Sequence, residues 1–147
     1  MKKNDIIILI AGCIALIGCF MPIAEKGSLF VNVSHMTQGL PIFLYFLPIV
    51  VIVISIISLY QKIKNPKPWY ISVGSIELII SILATIGGIY YLKTFDQFGR
   101  IFLKLLSKKN VTEVSPKIGL GSFLLSSSYL TIIILGLLYK PRNKLES

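Results

Sequence analysis

Residues 69–92 read WYISVGSIELIISILATIGGIYYL, twenty-four residues with a single charge, Glu77, at their centre. An apolar run of about 17 to 25 residues is what an α-helix needs to cross a ~30 Å hydrocarbon layer, so this stretch predicts a transmembrane span. Three further apolar stretches carry no basic residue, and together they place spans at about 6–21, 40–60, 69–92 and 118–139. All fifteen Lys and Arg residues fall in the short polar segments around them. With 54% hydrophobic and 14% charged residues in a chain of 147, the composition is too apolar for an ordinary soluble core. The expected fold is an all-α integral membrane protein: one domain, 1–147, with four transmembrane helices in a compact bundle.

The net charge of +9 suggests nucleic acid in a soluble protein. Here the basic residues flank hydrophobic spans, where anionic headgroups are the available partner, so the lipid bilayer is expected and nucleic acid is not. With both termini in the cytoplasm, eight basic residues lie inside (Lys2, Lys3, Lys62, Lys64, Lys67, Lys140, Arg142, Lys144) and seven outside (Lys26, Lys93, Arg100, Lys104, Lys108, Lys109, Lys117). The inside charges crowd the span ends, which favours this orientation by the positive-inside rule. Tyr60, Trp69, Tyr70 and Tyr139 then share the inner boundary as interfacial aromatics. The Ile- and Lys-rich composition suits a bacterial protein, hence a multi-pass protein of the cytoplasmic (plasma) membrane.

Between the first two spans, Lys26-Gly27-Ser28 is a turn signal followed by alternating Leu29, Val31 and Val33, which predicts a short extended segment or β-hairpin. Between the last two, Phe95, Phe98, Phe102, Leu105 and Leu106 recur at helical spacing among Asp96, Gln97, Arg100, Lys104 and Lys108. This predicts an amphipathic helix lying in the outer interface and serving as a lipid- or partner-facing surface.

Glu77 is the expected polar site. It sits eight residues past Trp69, about 12 Å from the inner boundary, and an acid at that depth costs on the order of 3 kcal/mol on insertion scales. Gly74, Glu77, Ser81, Ala84 and Gly88 follow steps of three and four, so Glu77 shares its face with small residues suited to helix packing. Ala11, Ala15 and Gly18 form a similar stripe in the first span, predicted to pack on Gly74, Ala84 and Gly88. In the fourth span Ser122, Ser126 and Tyr129 share a stripe, and a Glu77–Tyr129 hydrogen bond is predicted. Glu77 then either ties two helices together as a protonated acid, or serves as a proton or cation site, or makes a subunit contact.

Leu16-Ile17-Gly18-Cys19 resembles a lipobox, which makes Cys19 a candidate lipidation site; the competing expectation is a retained first helix in which both cysteines are buried thiols. His35 has no second ligand at metal spacing, so no metal is expected. No cofactor is expected, and hydrolase, zinc-protease and P-loop motifs are missing, which argues against an enzyme. In gross layout the chain resembles small tetraspan proteins, including the claudin-like group, though its first outer loop has neither their tryptophans nor their paired cysteines. In size, span number and basicity it also resembles immunity proteins against pore-forming bacteriocins. Two functions follow as expectations: a non-enzymatic binding or accessory component with a membrane-protein partner or homo-oligomeric assembly, or a small proton- or cation-coupled transporter or channel subunit using Glu77.

Overall fold

The computed structural model describes residues 2–26, 29–33, 40–60, 63, 65–106 and 115–139, with no side-chain description for residues 2, 40, 41, 43, 96 and 98–106. The protein is a helical membrane protein with a small sheet. Its elements are α1 (Lys2–Phe20), β1 (Ala24–Lys26), β2 (Leu29–Val31), α2 (Leu40–Leu59), α3 (Lys67–Leu106), β3 (Lys117–Ile118) and α4 (Leu120–Leu137). Three of the helices, α1, α3 and α4, are long and apolar enough to cross a membrane; α2 contributes a shorter apolar stretch, Leu44–Leu59.

The faces of α3 show which solvent surrounds the bundle. Tyr70, Val73, Gly74, Glu77, Ser81, Ala84, Thr85, Gly88 and Leu92 are buried at steps of three and four, whereas Ile76, Ile79, Ile82, Leu83 and Ile86 point outward, between 46% and 60% exposed. Polar and small residues inside with branched aliphatics outside is the reverse of a water-soluble amphipathic helix, and a surface of that kind needs lipid around it.

Helix α4 is the central packing element. It lies against both α1 and α3, and α1 also packs on α2, while α1 and α3 are not close neighbours. The expected packing of Ala11, Ala15 and Gly18 on Gly74, Ala84 and Gly88 is therefore corrected. All six residues are buried, but Gly18 faces Gly121, Leu124 and Leu125 of α4, Gly74 faces Ile132 and Ile133 of α4, and Gly88 faces Ala24 of β1. Small residues on two helices mark close approach without naming the partner, and here α4 and the sheet take that place.

The outer interfacial helix is corrected as well. The segment after Leu92 is helical, but it continues α3 without interruption to Leu106, giving a helix of 40 residues, about 60 Å at ~1.5 Å per residue and roughly twice the hydrocarbon thickness. Lys93 and Thr94 offer no break, and extending an existing helix costs less than ending it and starting another. At its start Asn65 Oδ1 accepts the Lys67 N–H at 3.3 Å, and Pro66 and Pro68 stand where the missing N–H groups are not needed.

At the end of the bundle away from Lys2 and Tyr139, labelled outer after the expected orientation, the predicted hairpin is present, β1 pairing with β2 as Ala24↔Val31, Glu25↔Phe30 and Lys26↔Leu29. Sequence reading missed the third strand: β3 pairs with the other edge of β1, Ala24↔Ile118 and Glu25↔Lys117, giving the antiparallel order β2-β1-β3. This pairing joins the segment after α1 to the segment before α4. The Gly119 N–H donates to Ile23 O at 2.9 Å and the Gly121 N–H to Pro22 O at 2.8 Å, so backbone carbonyls from beyond α1 satisfy donors that the first turn of α4 leaves open.

That close approach requires glycine. A Cβ on Gly121 would stand 2.6 Å from Met21 O and 2.7 Å from Gly18 O, and one on Gly119 would run into the Pro22 carbonyl. Gly121→Ala is expected to lower bundle stability by about 1 to 3 kcal/mol through forced separation of α1 and α4. Gly87→Ala, at an exposed site, should be neutral or slightly stabilising. Thermal unfolding in mild detergent checks both, and equal midpoints for the two variants would show that the contact is not tight.

Candidate functional site

Among the described residues two acids lie inside the bundle, and their surroundings differ in kind. Asp5, in the first turn of α1, is fully buried. Ser58 Oγ of α2 donates to its Oδ1 at 3.0 Å, the Tyr70 hydroxyl of α3 donates to the same oxygen at 3.1 Å, and the Tyr139 hydroxyl, two residues past α4, reaches Oδ2 at 3.4 Å. The Ser58 and Tyr139 hydroxyls are themselves 3.4 Å apart, and the Tyr70 and Tyr139 rings meet edge to face at 6.1 Å. One carboxyl thus gathers side chains from α2, α3 and the segment after α4 at the Lys2–Tyr139 end of the bundle, labelled inner after the expected orientation, and its place in the first turn of α1 also suits the positive end of that helix.

Sequence reading missed this cluster for two reasons. Beginning the first span at Ile6 left Asp5 in the cytoplasmic flank, so Glu77 stood as the sole acid within a span; α1 in fact begins at Lys2. The inner aromatics were also treated as one belt. Tyr60 and Trp69 do face outward, 75% and 58% exposed, but Tyr70 and Tyr139 turn inward as donors. The available signal was an aspartate at the edge of an apolar run, at the same inner level as a Ser and two Tyr residues in three other segments.

Glu77 is also fully buried, on the face of α3 turned toward α4. The Tyr129 hydroxyl neighbours it, and Cys19 of α1 lies within electrostatic reach of both. The Tyr129 hydroxyl faces the Glu77 carboxyl as predicted, close enough to interact with it, but no hydrogen bond of full geometry reaches either carboxyl oxygen or the Tyr129 hydroxyl among the described residues. Ser81 does not supply one, since its hydroxyl donates to Leu78 O at 2.9 Å within its own helix. Ser126 is only half-buried, but the other two residues of the predicted stripe, Ser122 and Tyr129, lie on the inward face of α4 together with Leu125, Ser128 and Ile132. Ser122 pairs with Thr85 at 2.7 Å, and that bond ties α3 to α4 nearer the outer end.

Cys19 sits where α1 meets α2. Pro48, buried within α2, has no N–H to give to Leu44 O four residues earlier, and the Cys19 thiol donates to that carbonyl at 3.2 Å. A neighbouring side chain thus satisfies the backbone group a proline frees, as hydrocarbon surroundings demand. Phe20 and Tyr45 pack beside this contact with ring centroids 5.3 Å apart. Of the two thiols expected to be buried, Cys19 is buried and Cys13 is exposed.

On the outer side, Leu29, Phe30 and Val31 of β2 and Tyr91, Leu92 and Phe95 of α3 line an apolar groove of about 250 Å³. Tyr91 and Phe95 stack at 6.1 Å with an interplanar angle of 19°. The side chains of Phe98, Phe102, Leu105 and Leu106, the rest of the proposed partner surface, lie outside the described residues. His35 lies outside them too, and among the described residues no group of three His, Cys, Asp or Glu side chains is placed to hold a metal.

If the Asp5 cluster locks the inner end, Asp5→Ala should destabilise the bundle more than Tyr70→Phe or Tyr139→Phe, each of which should cost about 0.5 to 2 kcal/mol. Removing the carboxyl leaves three buried hydroxyls without their acceptor, whereas each phenylalanine removes one donor. Adding Tyr70→Phe to the Asp5→Ala variant should then cost little more, and denaturation of the single and double variants in detergent measures that coupling.

No protein-family model matches this chain, and no match to it was found among curated proteins or solved structures.

Proposed function

We propose that this protein is a four-span component of a bacterial cytoplasmic membrane that acts without catalysis, binding a partner protein through its outer face, either as an immunity-type factor or as a small subunit of a membrane complex. In this reading α2 is the fourth span and both termini are cytoplasmic. The observation that carries it is the build of the outer end. Helix α3 runs about 60 Å, far beyond what a ~30 Å layer can cover, and a three-stranded sheet is bonded beside it.

Holding the sheet in place uses backbone hydrogen bonds to the chain before α4 and close packing of Ala24 on Gly88. Exposed Phe30, Tyr91 and Phe95, between 54% and 59% accessible, then crowd one side of this platform. Aromatic side chains held by rigid elements at the membrane edge are what a protein partner uses as anchors. Enzymatic chemistry has less support, because the two acids buried among the described residues lie at different levels of the bundle and do not share a site.

The test is purification in mild detergent, comparing the native chain with Tyr91→Asp, Phe95→Asp and Phe98→Asp/Phe102→Asp variants. A stoichiometric partner that is lost from these variants, with helicity and monodispersity unchanged, is the expected outcome. A partner retained by all three variants would remove the outer face from the binding role, and a symmetric homo-oligomer with no second protein would favour the transporter-type reading.

A further inference from the structure

Glu77 stands out from every other buried polar group near it. Ser81, Thr85 and Ser122 are all hydrogen-bonded, and so is Asp5 at the inner end. Glu77 is 0% exposed, yet among the described residues no hydrogen bond of full geometry reaches either carboxyl oxygen, and the Tyr129 hydroxyl that faces it, also 0% exposed, receives none either. Two unpaired polar groups from adjacent helices therefore face each other in the core, at the level where α3 and α4 pack closely around Gly74.

We propose that Glu77 and Tyr129 form a proton-binding site in the core of the bundle, with the Glu77 carboxyl holding the proton. An isolated carboxylate in an apolar medium loses the solvation that stabilises its charge, and such a group takes up a proton instead. A metal cation would need several oxygens around it, but the site offers two carboxyl oxygens and one phenol, and the next neighbouring group is a thiol. A proton needs one acceptor within reach of the acid, and the Tyr129 oxygen supplies it.

The titratable groups facing Glu77 are Tyr129 from α4 and Cys19 from α1. No Lys or Arg side chain meets either carboxyl oxygen. Tyr70, which holds Asp5, lies seven residues earlier on α3, about 10 Å down the axis, so the two acids are distinct sites. The Glu77 site is independent of the outer face and of any partner bound there.

The experiment is infrared spectroscopy of the full chain in lipid bilayers at about pH 7, where exposed carboxyls are ionised and silent in the protonated-carboxyl C=O region. A band that shifts on exchange into heavy water and is absent in Glu77→Gln is expected. Isotopic labelling of glutamate side-chain carboxyls in the native chain should shift the same band, a measurement that does not depend on the variant folding. In Tyr129→Phe the band should persist at higher frequency, having lost the Tyr129 oxygen toward which the proposed proton points. No band, a band unmoved by glutamate labelling, or a band whose frequency ignores Tyr129→Phe would each overturn the proposal.

Discussion

The carboxyl of Asp5 is the contact on which the bundle's inner end depends. In hydrocarbon no water can complete a hydrogen bond, so a buried acid must find its donors in the protein. Asp5 finds them on three separate segments: Ser58 closes α2, Tyr70 opens α3 and Tyr139 follows α4. Aliphatic packing around it tolerates sliding, because one lipid-like surface is much the same as another. Three hydroxyls converging on one carboxyl permit a single register of the helices along the membrane normal. The inner ends are therefore fixed by direction rather than by quantity of buried surface.

The outer end solves the same problem with backbone instead of side chains. Pro22 and Ile23 give their carbonyls to the first turn of α4, and β3 adds itself to the hairpin that follows α1. Without that capping, donors at the start of α4 would meet the membrane edge unpaired. The arrangement also explains why α4, the last helix in sequence, becomes the packing centre: it is tied to α1 through glycine contacts and to α3 through Thr85–Ser122 and Gly74. With α4 set between α1 and α3, the small-residue stripes of those two helices serve it and the sheet rather than each other.

Apolar runs and turn residues made the helices and the hairpin legible, since both depend on local pattern. The extent of α3 and the partner of each stripe were not, for different reasons. Lys93 and Thr94 change polarity without breaking a helix, so a change of environment at Leu92 looked like the end of an element. A Gly or Ala stripe reports closeness but carries no complementary shape to identify its neighbour. Asp5 was obscured because span boundaries drawn from hydropathy exclude charges by construction, although a terminal acid can be drawn inward once hydroxyls from other helices reach it. Glu77 was visible at once, being surrounded by uninterrupted apolar sequence; its lack of a bonded partner required coordinates.

The contrast between the two acids separates a structural role from a chemical one. A carboxyl whose oxygens are all engaged by hydroxyl donors has its energetic cost offset inside the fold, and changing its state disrupts the groups that depend on it. Glu77 holds nothing in place through hydrogen bonds: the stripe around it packs through Gly74, Ala84 and Gly88, and the α3–α4 tie is made by Thr85 and Ser122. If helix association were the only demand on this position, an apolar side chain or a serine would meet it without the cost of burying an acid. Under the proposal, a group that is expensive to bury and supports no neighbour derives its use from what it binds: in a core that excludes water and supplies one phenol, that ligand is a proton.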